Sequence, residues 1–96
     1  MALVLLDLNY PDFQAQFLTL DANELRACVK ALAKIRKMHW EDVHRDAGLK
    51  WEQVKGSTGR FTLRITRQAR AVVAHEGDFM RFQALHFDYD SAYGKK

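Results

Sequence analysis

Partway along this chain the apolar residues change their spacing, and that change constrains the fold more than any other feature. Before Gly56 they recur at three- and four-residue steps. Leu25, Cys28, Val29, Leu32 and Ile35 make a stripe that faces a core once the segment coils into a helix. Asp21 and Glu24 occupy the two positions of a capping box, so the helix is predicted to start there. From Arg60 onward the period is two. In "RFTLRIT", Phe61, Leu63 and Ile65 take one face, and Arg60, Thr62, Arg64 and Thr66 the other. "ARAVVAH" reads as the next strand, the residues around Gly77 as a hairpin turn, and "FMRFQALHF" as the strand after it.

Upstream, "ALVLLDL" reads as a short buried strand that ends at Asn9-Tyr10-Pro11-Asp12. "PDFQAQFL" supplies a helical turn or two with Phe13 above Phe17. "HWEDVHRDAG" reads as a shorter helix closed by Gly48, with Trp40, Val43 and Ala47 inward, and "LKWEQVKGSTG" as a turn-rich connection. Helices followed by a meander describe an α+β domain. The expectation is an N-terminal strand and two to three helices packed on one face of an antiparallel sheet. Ninety-six residues make one domain, 1–96, near the lower end of what folds without disulfides or metals. A chain of this size has little room to enclose a cofactor, so none is expected, and surface chemistry or a large partner is favoured. A lone cysteine, Cys28, gives no internal disulfide and fits a reducing compartment. "ALVLL" is interrupted by Asp7 and lacks a basic lead, so neither a signal peptide nor a membrane span is read there, and a cytoplasmic location is expected.

The net charge of +3, from 15 Lys and Arg against 12 Asp and Glu, is too small to name a partner, so placement must decide. Between Gly56 and Gly94 every basic residue other than histidine is arginine: Arg60, Arg64, Arg67, Arg70 and Arg81. Guanidinium grips phosphate through two parallel hydrogen bonds and stays charged when partly desolvated. The last strand then runs into "LHFDYDSAY". There His86 can exchange a proton near neutral pH, Asp88 and Asp90 can orient an imidazole or act as bases, and Tyr89 and Tyr93 can stack or donate a proton. Strict alternation sets His86 on the face of Met80, Phe82 and Ala84. Either it is a core histidine, or a bulge or the strand's end turns it outward.

Other readings use the same residues. "HFDYD" with His39, His44 or His75 has the donor types of a metal site but no metal-site spacing, so no metal is assigned. "WEDVHRDAGLKWEQV" imitates a helix-turn-helix, but its second helix would meet Gly56 after about two turns, too short for a major groove. Arg26, Lys30, Lys34 and Lys37 form a basic stripe opposite the apolar one. It is either a solvated face or a contact for nucleic acid or an acidic partner.

The run from "QVKG" through "GRFTLRITRQARAVVAHEGDFMRFQALHFDYDSAY" resembles the RelE/ParE superfamily of bacterial type II toxins, and "LRITRQARAVV" resembles its HigB-type pattern of an Ile-Arg-Ile strand, a short Gln-containing turn and a Tyr-Arg pair. The resemblance implies a toxin held inactive by an antitoxin protein. Its ribonuclease members cut messenger RNA on the ribosome without metal, whereas ParE-type members poison DNA gyrase. By position, Lys55 matches a basic residue before the sheet, Arg64 the arginine of the strand, and Arg70 the arginine after the turn. His86 to Asp90 and Tyr93 fall where the nucleases keep His, Asp or Tyr. The expected catalytic set is therefore Arg70, His86, Asp88, Asp90 and Tyr93, with Lys55, Arg60, Arg64, Arg67, Arg81 and Tyr89 binding RNA. Thr66 and Ala69 depart from the Asn and Tyr usual in HigB-like members, which keeps a ParE-like or catalytically inactive binding protein as the alternative.

Overall fold

The computed structural model describes residues 2–87. In chain order the elements are β1 (Leu5–Asp7), α1 (Pro11–Phe17), α2 (Ala22–Ile35), α3 (Trp40–Val43), β2 (Glu52–Gln53), β3 (Arg60–Thr66), β4 (Ala69–Glu76) and β5 (Phe79–Phe87). Pro11 opens α1, where its missing N–H costs nothing. Phe13 and Phe17, one turn apart, stack with ring centroids 5.6 Å apart, and Phe13 reaches Phe82 of β5 at 5.5 Å. The capping box forms as expected. Asp21 accepts from the Glu24 N–H at 2.8 Å, and Glu24 accepts from the Asp21 N–H at 3.1 Å.

The sheet order is β1-β5-β4-β3-β2. β2 to β5 pair antiparallel, as the period-two pattern requires, but β1 runs parallel to β5, so the sheet is mixed rather than wholly antiparallel. A parallel neighbour needs a long crossover, and here the helices and the meander together supply it. α1 packs on β5 and α2 on β3, covering one sheet face. Between the layers lie Phe13, Cys28, Leu32, Ile35, Leu63, Val73, Met80 and Phe82.

Two expectations are corrected. Leu25 and Val29 belong to the apolar stripe by spacing but are 37% and 48% exposed. Val29 sits about 100° around the helix from Cys28, beyond the sector that meets the sheet. The third helix stops at Val43, and Ala47 is exposed, because Asp46 turns back to accept the Leu49 N–H at 3.0 Å and to pair with Lys34 at 3.1 Å. The following segment then carries the two-residue strand β2, so the helix-turn-helix does not form. At one end of the sheet Trp40 stacks on His75 with centroids 3.5 Å apart and donates its indole N–H to the Asp78 carbonyl at 2.9 Å. No helix among the described residues is long and apolar enough to cross a membrane.

Candidate functional site

The face of the sheet away from the helices is set by a single irregularity in β5. Val73 lies opposite Phe82, but Val72 lies opposite Ala84, so Gln83 has no partner and the strand is bulged there. A bulge inverts the parity of every residue beyond it. Met80 and Phe82 are buried before it and Leu85 after it, while His86 is exposed. The alternation that would have made His86 a core residue is thus broken three residues earlier.

With the parity inverted, His86 stands directly opposite Arg70, and Arg70 opposite Arg64. The three form one rung across β5, β4 and β3, spanning roughly 10 Å at the backbone for two strand spacings. Beside it opens a hollow of about 470 Å³. Arg60, Arg70 and His86 supply its charge-bearing wall, Thr62 a hydroxyl, and Val54, Val72 and Phe87 apolar surface. Among the described residues no carboxylate lines it; Glu52, opposite Thr62 on β2, stands outside. Two guanidinium groups and an imidazole around a concave surface attract an anion, and the apolar patches between them suit the face of a planar ring. A second hollow, of about 600 Å³, is lined by Arg64, Thr66, Arg67 and Gln68 at the β3–β4 turn. There Arg64 donates to the Thr66 carbonyl, and the Thr66 hydroxyl accepts the Gln68 N–H at 3.2 Å.

Of the residues singled out in the sequence, Arg60, Arg70 and His86 therefore share one hollow, and Arg64 and Arg67 line the next. Arg81 does not join them. It lies opposite Ala74, and its guanidinium is held by Asp7 and Glu76, each at 2.8 Å. The hydrogen bond it donates to Asp7 and the charge of Glu76 raise its pKa further, so this arginine ties β1 and the end of β4 to β5. Lys55 is exposed in the loop after β2 and lines neither hollow. Asp88, Tyr89, Asp90 and Tyr93 lie outside the described residues. The histidines considered as metal donors go elsewhere: His75 stacks on Trp40, His44 lies edge-on to Trp51, and His39 faces Asp42 at 4.0 Å. No cluster of three His, Cys, Asp or Glu suited to a metal occurs among the described residues.

The same arrangement of strands and helices is found in a solved structure of the YoeB dimer from Staphylococcus aureus. The likeness covers 92% of this chain and 100% of that one, with a TM-score of 0.57 and 19% sequence identity. The fold is RelE-like. No protein-family model matches the chain, and no curated protein does. In this RelE-like frame the hollow also includes Val54, Val72 and Phe87, which the sequence did not mark. Thr62 was legible, since alternation sets it between Arg60 and Arg64, but the three apolar residues become wall only once the strand register is known.

Proposed function

We propose that this chain is the toxin of a type II toxin–antitoxin pair and, more specifically, a RelE/HigB-like endoribonuclease that cuts messenger RNA on the ribosome without using a metal. The observation that carries the reading is the β5 bulge, which turns a proton-transfer group outward directly opposite Arg70 and into a hollow with two guanidinium groups. In such a reaction the 2′-oxygen of the nucleotide attacks its own adjacent phosphate, the 2′-proton passes to a base, and the 5′-oxygen leaves with a proton from an acid. No outside nucleophile is needed. Arg60 and Arg70, with Arg64 along the same rung, neutralise the charge that grows on the phosphorane. Preorganised donors in that role contribute about 3–4 kcal/mol each in other enzymes. His86 serves as base or acid, and Asp88, Asp90 or Tyr93 as its counterpart. Val72 and Phe87 support the nucleobase. The protein partner is the antitoxin, and the RNA partner is the ribosome-bound message.

The test is to replace Arg70 and His86 singly by Ala and measure both cleavage of ribosome-bound message and growth after induced expression. Both activities should fall steeply in each variant. Survival of both in each variant overturns the mechanism.

A second reading is favoured by the β3–β4 turn. Ala69, where HigB-like members carry Tyr, is fully buried, and the Thr66 hydroxyl is already engaged with Gln68. Neither presents the contact that the usual residue would. A ParE-like or catalytically inactive toxin that acts by protein binding fits that loss, and inhibition of DNA gyrase without RNA cleavage would select it.

A further inference from the structure

Helix α1 grips β5 at two places, one on each side of the bulge. Before it, Phe13 packs on Phe82 with ring centroids 5.5 Å apart. After it, the Gln16 side chain reaches across from α1, and its Oε1 accepts the Leu85 N–H at 2.8 Å. Phe13 and Gln16 are three residues apart, so they stand one above the other on the same helix face, and Gln83 lies between their two partners. A side chain is needed there because β1 ends early. It covers the outer edge of β5 only from Phe79 to Arg81, and beyond that no strand among the described residues pairs with that edge. Leu85 is 3% exposed, so its N–H would be cut off from water if no acceptor met it.

The acceptor suits one register only. Residues two apart in a strand turn their side chains to one face and their N–H groups to one edge. Leu85 faces the core and gives its N–H to Gln16, so His86 turns its side chain to the open face and its N–H toward β4, where Arg70 is its partner. Without the bulge the strand would slip by one residue, present the N–H of Ala84 or His86 at that place and send the imidazole inward. We propose that Gln16 is a positioning residue: anchored on α1, its carbonyl holds β5 in the bulged register and so keeps His86 opposite Arg70 at the hollow. Gln16 does not line the hollow itself and acts through the Leu85 backbone. The effect on cleavage rests on the ribonuclease reading, whereas the effect on the strand does not.

The experiment compares the unaltered full chain with Gln16→Met, which keeps the length of the side chain but lacks the oxygen, and Gln16→Glu, which keeps an oxygen in place. Amide hydrogen exchange and cross-strand contacts are read by NMR, and kcat and KM on ribosome-bound message. In Gln16→Met the Leu85 amide should exchange about tenfold faster or more while that of Leu63 keeps its rate, and the contact between His86 and Arg70 should weaken. The kcat should fall about tenfold or more with KM within about twofold, because the arginines still bind phosphate and only the proton-transfer group is misplaced. Gln16→Glu should restore both. Unchanged Leu85 exchange with an intact His86–Arg70 contact in Gln16→Met overturns the proposal, as does a fall in kcat that Gln16→Glu shares in full. If the unaltered chain cleaves no RNA, the ribonuclease reading fails by itself, and the NMR readout still decides the role of Gln16. Should Gln16→Met fail to fold, Gln16→Asn, which draws the acceptor back by one methylene, takes its place.

Discussion

The bulge at Gln83 can be read energetically from two neighbouring residues. Leu85 is 3% exposed and packs in the core, whereas His86 is exposed on the opposite face. Leu85→Ala therefore removes buried methyl groups and leaves a cavity between the sheet and the helices. Substitutions of this kind cost about 2–5 kcal/mol. His86→Ala removes a side chain that contributes little to packing, and its cost should fall within about 0.5 kcal/mol. A domain of this size has only about 5–15 kcal/mol of stability in total, so the first change should move a guanidinium unfolding midpoint far and the second barely. Deleting Gln83 should couple the two effects. Restored alternation would drive the imidazole toward the core and Leu85 toward water, so the deletion should cost at least as much as Leu85→Ala. If instead His86→Ala is the costly change and Leu85→Ala the mild one, the strand is not bulged and the site as described does not exist.

Three further outcomes are expected. Asp7 is held below the usual carboxylate range by the Asn9 backbone N–H and by Arg81, so its contribution is present above its unfolded value near 3.8 and is lost as pH falls through the lower folded value; Asp7→Asn should flatten the acid limb of a stability–pH curve. Burial pushes the Cys28 thiol up to about 11, so iodoacetamide should label it only as the protein unfolds, with labelling tracking denaturant concentration. Arg70→Ala should lower the slope of log binding constant against log salt for single-stranded RNA by about 0.7 if one phosphate contact is lost, whereas Arg81→Ala should leave the slope unchanged and lower stability.

Local signals in the sequence carried the elements well. The switch in period, the Asp21–Glu24 capping box and the Phe13–Phe17 stack depend on residues a few positions apart, and each forms. Pairings between distant segments were not legible. Asp7 commits Arg81 from 74 residues away, and nothing in the composition of β5 distinguishes that arginine from Arg70 in β4. β2 is two residues long, too short to display any period. Gln83 is an ordinary polar residue at an ordinary strand position. Its missing partner follows from how Val72 and Val73 register against β5, so the sequence left the side of His86 open between two faces.

Among the described residues, the distribution of acids leaves the two arginine hollows without a carboxylate in their lining, although the chain as a whole is only slightly cationic. Asp7 and Glu76 hold Arg81, Glu41 and Asp42 hold Arg45, and Asp46 holds Lys34, all at the margins of the sheet or among the helices. None of these carboxylates lines the hollow of Arg60, Arg70 and His86 or the one of Arg64 and Arg67. A net charge of +3 would give a diffuse and easily screened field if acids and bases were evenly mixed. Pairing these five acids elsewhere keeps them away from a compact group of guanidiniums whose charges add at short range, where salt screens them least. Introducing a single carboxylate into that group, as in Thr62→Glu, should therefore weaken binding of a polyanion more than a glutamate placed on α2 at Ala33, with equal change in net charge. Equal losses would mean that overall charge, and not the hollow, governs the attraction.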